Sequence, residues 1–503
     1  MNRSEEPAGT PAATADPHYA HRWLILLVVL ISQVMILIDA TVINVALPSA
    51  QAGLHFSDAT RQWVVTAYVL AFGSLLPLGG RLADLVGRKR VFIVGLVGFG
   101  MFSALAGAAP DTAVLLIART LQGVFAAALA PTAVSLITVT FTDHAERNKA
   151  FAVFGAVGGG SGALGLLLGG LLTSYLDWRW TMFVNIAFAA VALVGALTLM
   201  TNSADPDRPR LDLPGVLLAS GGLFLLVFGS AQAEKDGWGS ALTIGSLVGG
   251  AILLAGFVAV ERHAVNPLVP LRVVLDRNRG AAYLSLLLGS AALFALFLFL
   301  TYYFQGILGY TPIRTGLAFL PLPVGIAVGA TIAQSALLPR LTARTIVAAG
   351  LVLSAFGAAL LTRVDVQAAY ASRVLPGLVL VGVGIGVYFV IAVTIGSVPD
   401  DPRDAGTAGS MNNVGQQIGT ALGVAVISTF VASATSSYLH SHGPAGPQLL
   451  ARAAVHGYAT GFWWGAATFA FTAALCTALI RPKTSLAVAA EPSGPQPAAP
   501  AFQ

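Results

Sequence analysis

Long apolar runs alternate with short charged segments along the whole chain, and this pattern predicts the structure. A helix needs about 20 mostly apolar residues to cross a bilayer, and fourteen runs of suitable length occur. They are 23–47, 62–79, 91–109, 113–141, 150–173, 181–200, 213–232, 241–260, 281–304, 316–338, 345–362, 374–396, 411–434 and 457–480. The predicted fold is therefore an all-α polytopic membrane protein with fourteen transmembrane helices, and both termini lie on one side.

The loop cations indicate which side that is. With the termini inside, 19 of the 27 cations lie in cytoplasmic segments, 7 lie outside and 1 is intramembrane, as the positive-inside rule requires. We therefore expect a multi-pass bacterial plasma-membrane protein with cytoplasmic termini. The polar, proline-rich and alanine-rich ends, 1–21 and 483–503, are predicted to be disordered tails.

Composition narrows the class of protein further. Hydrophobic residues make up 56% of the chain and charged residues only 10%, against roughly 25% charged in soluble domains. The net charge of +5 comes from loop cations that set topology, so no nucleic-acid partner is expected. The sequence has no P-loop and no nucleophile–base motif, which argues against an enzyme and against ATP-driven transport without another subunit.

No metal site or disulfide is predicted. His440 and His442 form an H-x-H pair in the last external loop, but no third ligand is near, and solvated loop histidines are the simpler interpretation. The single cysteine, Cys476, lies in an apolar run and cannot form an intrachain disulfide. We expect no cofactor.

An internal repeat divides the chain into two halves. A shift of 254 residues superposes six positions of spans 4 and 5 on positions of spans 12 and 13. The pairs are Arg119 and Arg373, Leu121 and Leu375, Gly123 and Gly377, Gly155 and Gly409, Gly165 and Gly419, and Gly169 and Gly423. The pattern predicts two six-helix halves, 22–200 and 263–482, with two inserted helices in 201–262; chance alignment of glycines is the alternative.

Two ionisable residues lie well inside predicted spans, where charges are costly and usually functional. Asp39 in span 1 and Arg119 in span 4 both lie roughly 9–11 Å below the outer surface, at about 1.5 Å of rise per residue. A direct or water-bridged pair is therefore expected. A nearby cation favours the charged carboxylate and desolvation favours the neutral acid, so such a site can load and release a proton. The alternative is a permanent ion pair that holds the two helices together.

A charged island, GRLADLVGRKR at Gly80 to Arg90, separates spans 2 and 3. Its cations mark a cytoplasmic loop, and Gly80 and Gly87 permit close turns. Asp84 is the acid among the cations, so a specific partner is plausible.

Span 5 is rich in glycine, and several polar residues lie in other spans. Small residues let helices approach and slide or bend, which suggests a gating role for Gly155, Gly165, Gly169 and Gly170; plain tight packing is the alternative. Polar candidates for the lining of a cavity, which could instead form hydrogen bonds between helices, are Tyr68, Gln122, Asn185, Gln305, Tyr388 and Asn412.

Several of these stretches resemble one transporter family. The loop pattern Gly-x-x-x-Asp-x-x-Gly-Arg-Lys resembles the loop between helices two and three of the major facilitator superfamily. LIDATVINVALP in span 1, ARTLQG in span 4 and DWRWTMFVNI at Asp177 to Ile186 resemble its fourteen-helix drug:proton antiporters, as do GLAFLPLPVG and GSMNNVGQQIGTALGVAV in the second half. One departure is Leu166, where the antiporter motif of span 5 usually has proline.

The resemblance implies a function and a role for the island. We expect proton-driven efflux of a hydrophobic or cationic drug by a monomeric transport unit. Alternatives are a dedicated exporter of one endogenous antibiotic or metabolite, and a non-transporting membrane sensor with the same fold. The resemblance also implies that the island acts as a conformational switch, formed by Gly80, Asp84, Gly87, Arg88 and Lys89. In that role Asp84 docks on the N-terminus of span 13, near Thr407 to Asn412; the alternative is that Asp84 only balances the adjacent cations.

Overall fold

The computed structural model describes residues 17–201, 212–264, 271–397, 405–442 and 446–481, and every regular element within these ranges is helical. The first half contains α1 Pro17–Leu54, α2 Asp58–Val86, α3 Arg88–Gly107, α4 Thr112–Thr140, α5 His144–Tyr175 and α6 Trp180–Leu199. Two helices follow, α7 Leu213–Asp236 and α8 Ala241–Glu261. The rest comprises α9 Leu271–Val274, α10 Arg277–Tyr302, α11 Pro312–Phe319, α12 Pro321–Ile332, α13 Ala343–Leu361, α14 Leu375–Ser397, α15 Ala405–His442 and α16 Pro447–Leu479.

Twelve helical segments of the described chain are long and apolar enough to cross a membrane. The other two predicted spans lie in α2 and α5, which are 29 and 32 residues long and contain the shorter apolar stretches Trp63–Leu76 and Leu164–Tyr175. The helices thus accommodate the fourteen predicted spans, although the count itself stays a prediction. α1 already begins at Pro17, inside the segment predicted as a disordered tail, while the C-terminal tail lies outside the described residues.

Short polar side chains define where several helices begin. Asp111 Oδ1 accepts a hydrogen bond from the Val114 amide, and Asp143 Oδ1 accepts one from the Glu146 amide, both at 2.9 Å. Each such cap pairs one of the amides that the first turn of a helix leaves without a partner. A polar residue before an apolar run therefore sets the boundaries of α4 and α5.

The predicted tenth span, 316–338, is not one continuous helix. α11 ends at Phe319, α12 begins at Pro321, and a π-helical turn, Ala333–Leu337, follows α12. Proline has no amide hydrogen, and its ring clashes with the preceding turn, so it breaks or kinks a helix. Pro321 therefore explains the break that the apolar pattern did not predict.

The same helix pairs pack together in both halves. In the first half α1 packs on α5 and α6, α3 on α4 and α6, and α2 on α4. In the second half α10 packs on α15 and α16, α13 on α14 and α16, and α12 on α14. Glycines related by the 254-residue shift make equivalent contacts: Gly165 lies against α1, and Gly419 lies against α10.

The helices between the halves have a defined place. α7 packs on α8, on α2 of the first half and on α15 of the second. Trp63 of α2 lies 6.0 Å from Phe228 of α7 between ring centroids, and Trp238, just after α7, lies 6.4 Å from Phe430 of α15. α7 therefore bridges the two halves, and α8 packs on α7.

Candidate functional site

Asp39 and Arg119 form an ion pair inside the first half. Arg119 Nη1 donates to Asp39 Oδ2 at 2.6 Å, and both side chains are 0% exposed. α1 and α4 bring them together from 80 residues apart in sequence. The sequence argument predicted this proximity from equal depth, whereas the coupling role assigned to the pair stays a prediction.

Two carboxamides complete the shell of Asp39. Gln122 Nε2 donates to Asp39 Oδ1 at 2.9 Å, and Asn185 Nδ2 donates to the same oxygen at 2.8 Å. Gln122 lies one helical turn after Arg119, and its Oε1 accepts from Arg119 Nη1 at 2.8 Å. Three N–H groups therefore hold the carboxylate, and hydrogen bonds to the charged form of a group stabilise that form.

Ser103 of α3 lies behind the two carboxamides. Its Oγ accepts from Gln122 Nε2 at 3.1 Å and from Asn185 Nδ2 at 3.0 Å, and it donates to the Met182 carbonyl at 2.8 Å. Sequence reasoning missed this residue because one serine in an apolar helix carries no distinguishing signal. Its spacing from Asp39 and Arg119 in sequence follows no motif, so only the packing of α3 against α4 and α6 reveals it.

Arg119 has further partners on α2. Its Nε donates to the Val64 carbonyl at 3.3 Å, and its guanidinium carbon lies 4.4 Å from the centroid of the Tyr68 ring. A cation over an aromatic face is attracted by the ring quadrupole. Within the described part of the chain, three buried polar atoms of the cluster have no hydrogen-bond partner: Arg119 Nη2, Tyr68 Oη and Asn185 Oδ1.

Glycines allow the helices around the cluster to approach. A Cβ on Gly123 of α4 would overlap the Tyr68 carbonyl of α2 and lie 3.0 Å from Ala71 Cβ. A Cβ on Gly165 would overlap Thr41, and one on Gly169 would lie 2.9 Å from Val42 Cγ2. Two of the span 5 glycines thus allow α5 to pack tightly against the α1 segment just after Asp39. The gating role predicted for these glycines stays a prediction. Gly155 lies in α5 but outside the residues whose surroundings the structure describes.

Further along α5, the first half meets the second. A Cβ on Gly170 would lie 2.8 Å from Ile313 Cα, and the Ile313 amide donates to Ser174 Oγ at 3.2 Å. A Cβ on Gly316 would lie 2.6 Å from the Leu166 carbonyl. α5 and α11 are therefore in close contact at the position where the family motif usually has proline.

A second contact between the halves involves a cation. The guanidinium carbon of Arg61, in α2, lies 3.7 Å from the centroid of the Tyr302 ring, in α10, and Arg61 Nη1 donates to Gln51 at 3.0 Å. Gln305, in the π-helical turn after α10, donates to the Val45 carbonyl of α1 at 2.9 Å. By the predicted topology, these contacts and the α5–α11 contact lie at the external end.

The structure changes the interpretation of the two glycines of the charged island. Gly80 lies within α2, not in a turn, and a Cβ there would reach Pro131 Cβ at 3.6 Å, an ordinary contact. Its neighbour Gly79 makes the closest approach, because a Cβ there would overlap the Ala127 carbonyl of α4. Gly87 has a φ of +105° between α2 and α3, a conformation that favours glycine.

Two cations of the island, Arg88 and Lys89, form hydrogen bonds with other helices of the first half. Arg88 Nε donates to Ser135 Oγ of α4 at 2.6 Å. Lys89 Nζ donates to the Leu197 and Met200 carbonyls, at 3.1 and 2.6 Å, at the C-terminus of α6, where a cation complements the helix dipole. The side chains of Asp84 and of residues 407–410, in the predicted docking segment at the start of α15, are outside those that the structure describes, so this docking stays a prediction.

The remaining cavity candidates do not share one surface. Tyr388 is 2% exposed and lies inside the second half, against Gly289 of α10. Asn412 Nδ2 donates to Ser397 Oγ at 2.8 Å, linking α15 to α14. Together with Tyr68, Gln122 and Asn185 these side chains are buried between helices, so in this conformation they do not face an open cavity; Gln305 alone of the six is partly exposed.

The arrangement is suited to binding and releasing a proton. A carboxylate inside a membrane protein, held by one cation and two neutral donors, can be ionised without water, and rearrangement of those donors changes its affinity for a proton. Within the described residues no group of three or more His, Cys, Asp and Glu side chains could hold a metal ion.

Comparison with known proteins identifies the family. A family model described as Major Facilitator Superfamily matches residues 29–424. The chain belongs to the major facilitator superfamily. The superfamily resemblance drawn from the motifs is thus confirmed, and membership makes the chain a membrane transport protein; the fourteen-helix subgroup stays a prediction.

Relatives of this superfamily member match 80–97% of its length. The puromycin resistance protein pur8 of Streptomyces alboniger is 47% identical over 97% of each chain. The cephamycin export protein CmcT of Amycolatopsis lactamdurans is 38% identical, over 80% of this chain and 83% of its own. The transporter EfpA of Mycobacterium tuberculosis, described as uncharacterized, is 36% identical over 92% and 88% of the two chains.

Solved structures support the superfamily fold. A bacterial homologue of the human lysosomal transporter Spinster, in an inward-facing and unoccupied conformation, covers 93% of this chain and 98% of its own, with a TM-score of 0.63 and 17% identity. The nucleoside transporter NupG covers 91% and 100%, with a TM-score of 0.61 and 11% identity. At these identities the likeness concerns the fold alone.

Proposed function

We propose that this protein exports a hydrophobic, neutral or cationic antibiotic or drug from a bacterial cell in exchange for protons. The observation that carries the export proposal is the 47% identity to a puromycin resistance protein across nearly all of both chains. Puromycin is therefore the first compound to test. The protein acts as a monomeric unit in the plasma membrane, with cytoplasmic termini and no cofactor.

The Asp39–Arg119 pair supports the proton-coupling part of the proposal. Asp39 is a fully buried carboxylate with three N–H donors, deep in an apolar helix. A carboxylate inside a membrane is energetically costly, and proteins that contain one there usually use it for function. We propose that it takes up a proton from outside and releases it to the cytoplasm as the cluster rearranges, and the proton gradient thereby drives efflux.

The breadth of the substrates separates two forms of this function. A dedicated exporter protects against one compound, whereas a multidrug exporter protects against many unrelated ones. Expression in a strain without its own major efflux pumps, followed by accumulation assays with puromycin, a cephamycin, lincomycin and a cationic dye, distinguishes the two. Equal accumulation of every compound with and without the protein would remove the export proposal and favour a sensor.

Proton coupling needs a separate experiment. In proteoliposomes with an imposed pH gradient, wild-type protein should move an identified substrate against its concentration gradient. Asp39→Asn should abolish this gradient-driven movement while the protein still inserts and binds substrate. Glu146, which pairs with Arg22 at 2.7 Å between α1 and α5, provides the control, because Glu146→Gln removes a carboxylate away from the cluster. Full proton-driven transport by Asp39→Asn would exclude Asp39 from coupling.

A further inference from the structure

We propose that Asn185 and Ser103 are positioning residues that respond to the protonation of Asp39. The Asn185 carboxamide donates to the carboxylate, and it inverts to accept a hydrogen bond when the acid is protonated, while the Ser103 hydroxyl turns to match it. The inference rests on the proposed proton-coupling role of Asp39. It assigns the structural response to two side chains on α6 and α3.

The two oxygens of Asp39 differ in how they can take a proton. Oδ2 accepts from Arg119 Nη1 at 2.6 Å, and a guanidinium does not lose its proton in proteins, so a proton on Oδ2 would face an N–H group. Oδ1 accepts from the amides of Gln122 and Asn185. A neutral carboxamide can present either N–H or C=O, so the proton from outside adds to Oδ1.

Only one of the two carboxamides is free to invert. Gln122 Oε1 accepts from Arg119 Nη1 at 2.8 Å, so inversion would place its NH₂ group against the guanidinium. Among the described residues Asn185 Oδ1 has no hydrogen-bond partner, so inversion breaks no bond of that oxygen. Its cost is that the NH₂ group gives up its two acceptors, Asp39 Oδ1 and Ser103 Oγ. The two ends of the group are nearly equal in size, so inversion needs no change in packing. After inversion, Asn185 Oδ1 accepts from the new O–H of Asp39.

Ser103 supplies the hydrogen bond that the inverted Asn185 carboxamide needs on its other side. Asn185 Nδ2 now donates to Ser103 Oγ at 3.0 Å, and the hydroxyl donates to the Met182 carbonyl at 2.8 Å. In the inverted state the oxygen of Asn185 faces Ser103, and the hydroxyl hydrogen rotates to donate to it. A hydroxyl can both donate and accept, whereas alanine can do neither.

The response passes between helices by hydrogen bonds alone. The other ionisable side chains of the described cluster are Arg119 from α4, which pairs with Asp39, and Tyr68 from α2, whose ring lies 4.4 Å from the Arg119 guanidinium carbon. α3 and α6 contribute the uncharged Ser103 and Asn185, and the α5 glycines Gly165 and Gly169 pack against the next residues of α1, Thr41 and Val42. Inversion removes one N–H donor from the carboxyl group and reverses the polarity of the α1–α6 contact, which is how protonation of α1 reaches α6.

Infrared difference spectroscopy tests the proposal in purified, reconstituted protein. The C=O stretching band of protonated Asp39 is the band that is absent in Asp39→Asn. Loss of an acceptor for the acid O–H moves this band to higher frequency. We expect that shift in Asn185→Leu. We expect a smaller shift in Gln122→Met, the matched comparison, because Gln122 donates to Asp39 Oδ1 and does not accept from the acid O–H. Ser103→Ala should shift and broaden the band because Asn185 loses its second partner, and Ser103→Thr should restore it.

Each outcome decides between the alternatives. An unmoved band in Asn185→Leu, or an equal shift in Gln122→Met, would overturn the assigned inversion. If Asn185→Leu does not fold, the Ser103→Ala and Ser103→Thr pair decides: an unchanged band in Ser103→Ala overturns the proposal. Full coupling in Asp39→Asn would instead refute the proposed function, so the two failures are distinguishable.

Discussion

Removal of Arg119 should destabilise the protein strongly, because it leaves a carboxylate buried without a cation. Arg119 and Asp39 are both 0% exposed, and their closest atoms are 2.6 Å apart. Breaking a buried ion pair by removing one partner costs about 3–5 kcal/mol. Arg119→Met preserves much of the side-chain volume but deletes the ion pair and the hydrogen bonds to Gln122 and Val64. We expect the free energy of unfolding to fall by about 4 kcal/mol.

The double-mutant cycle separates pairing from packing. Asp39→Asn leaves the guanidinium unpaired and should also cost about 3–5 kcal/mol. In the double variant neither charge remains, so its loss of stability should be smaller than the sum of the single losses by about 2–3 kcal/mol, near the upper end of measured coupling energies. Arg119→Lys should lie between wild type and Arg119→Met, because lysine retains the charge but not the planar contacts.

The pH dependence of the two single variants should differ. In Arg119→Met the unpaired group is a carboxylate, and protonation neutralises it, so the deficit in stability decreases as the pH falls. In Asp39→Asn the unpaired group is a guanidinium, which stays charged at every accessible pH. Asparagine at position 39 does not titrate either, so the stability of this variant should not change with pH through this site.

Reversible unfolding of purified protein in mixed detergent micelles, followed by tryptophan fluorescence, measures these differences. Wild type, both single variants and the double variant are compared at two pH values. Stability losses that add within about 0.5 kcal/mol, the limit for independent sites, would show that the two charges do not depend on each other. A pH-independent deficit in Arg119→Met would contradict the assignment of the unpaired group.

Three further predictions concern packing and the contact between the halves. Gly169→Ala should cost about 1–3 kcal/mol because its Cβ meets the α1 backbone, whereas Gly162→Ala, with nothing within 4 Å, should not destabilise; thermal melting compares them. Gly87→Ala should lower the melting temperature, since a φ of +105° with a ψ of +134° strains any residue with a Cβ by about 1–3 kcal/mol. A cycle of Arg61→Gln and Tyr302→Leu should give a coupling energy of about 0.5–2 kcal/mol, and additivity in unfolding would show that the contact contributes nothing.

The sequence by itself determined the architecture and the charged pair. Apolar runs of membrane length and short charged loops are local properties, so they indicated helices and boundaries without any knowledge of contacts. Asp39 and Arg119 stood out because a charge in an apolar run is costly. Their equal depth followed from counting residues to the end of each span and multiplying by the helical rise. Gly87 was also readable, because a glycine between two helices marks a turn.

Only the tertiary structure decided which uncharged residues matter. Ser103 is one small polar residue among many, and its role comes from the packing of α3 against α4 and α6. Gly79 and not Gly80 makes the close contact with α4, because the choice depends on helix rotation by 100° per residue, which is set by the partner helix. The function of polar and small side chains depends on neighbours that are distant in sequence, and the local pattern of residues does not indicate which neighbours those are.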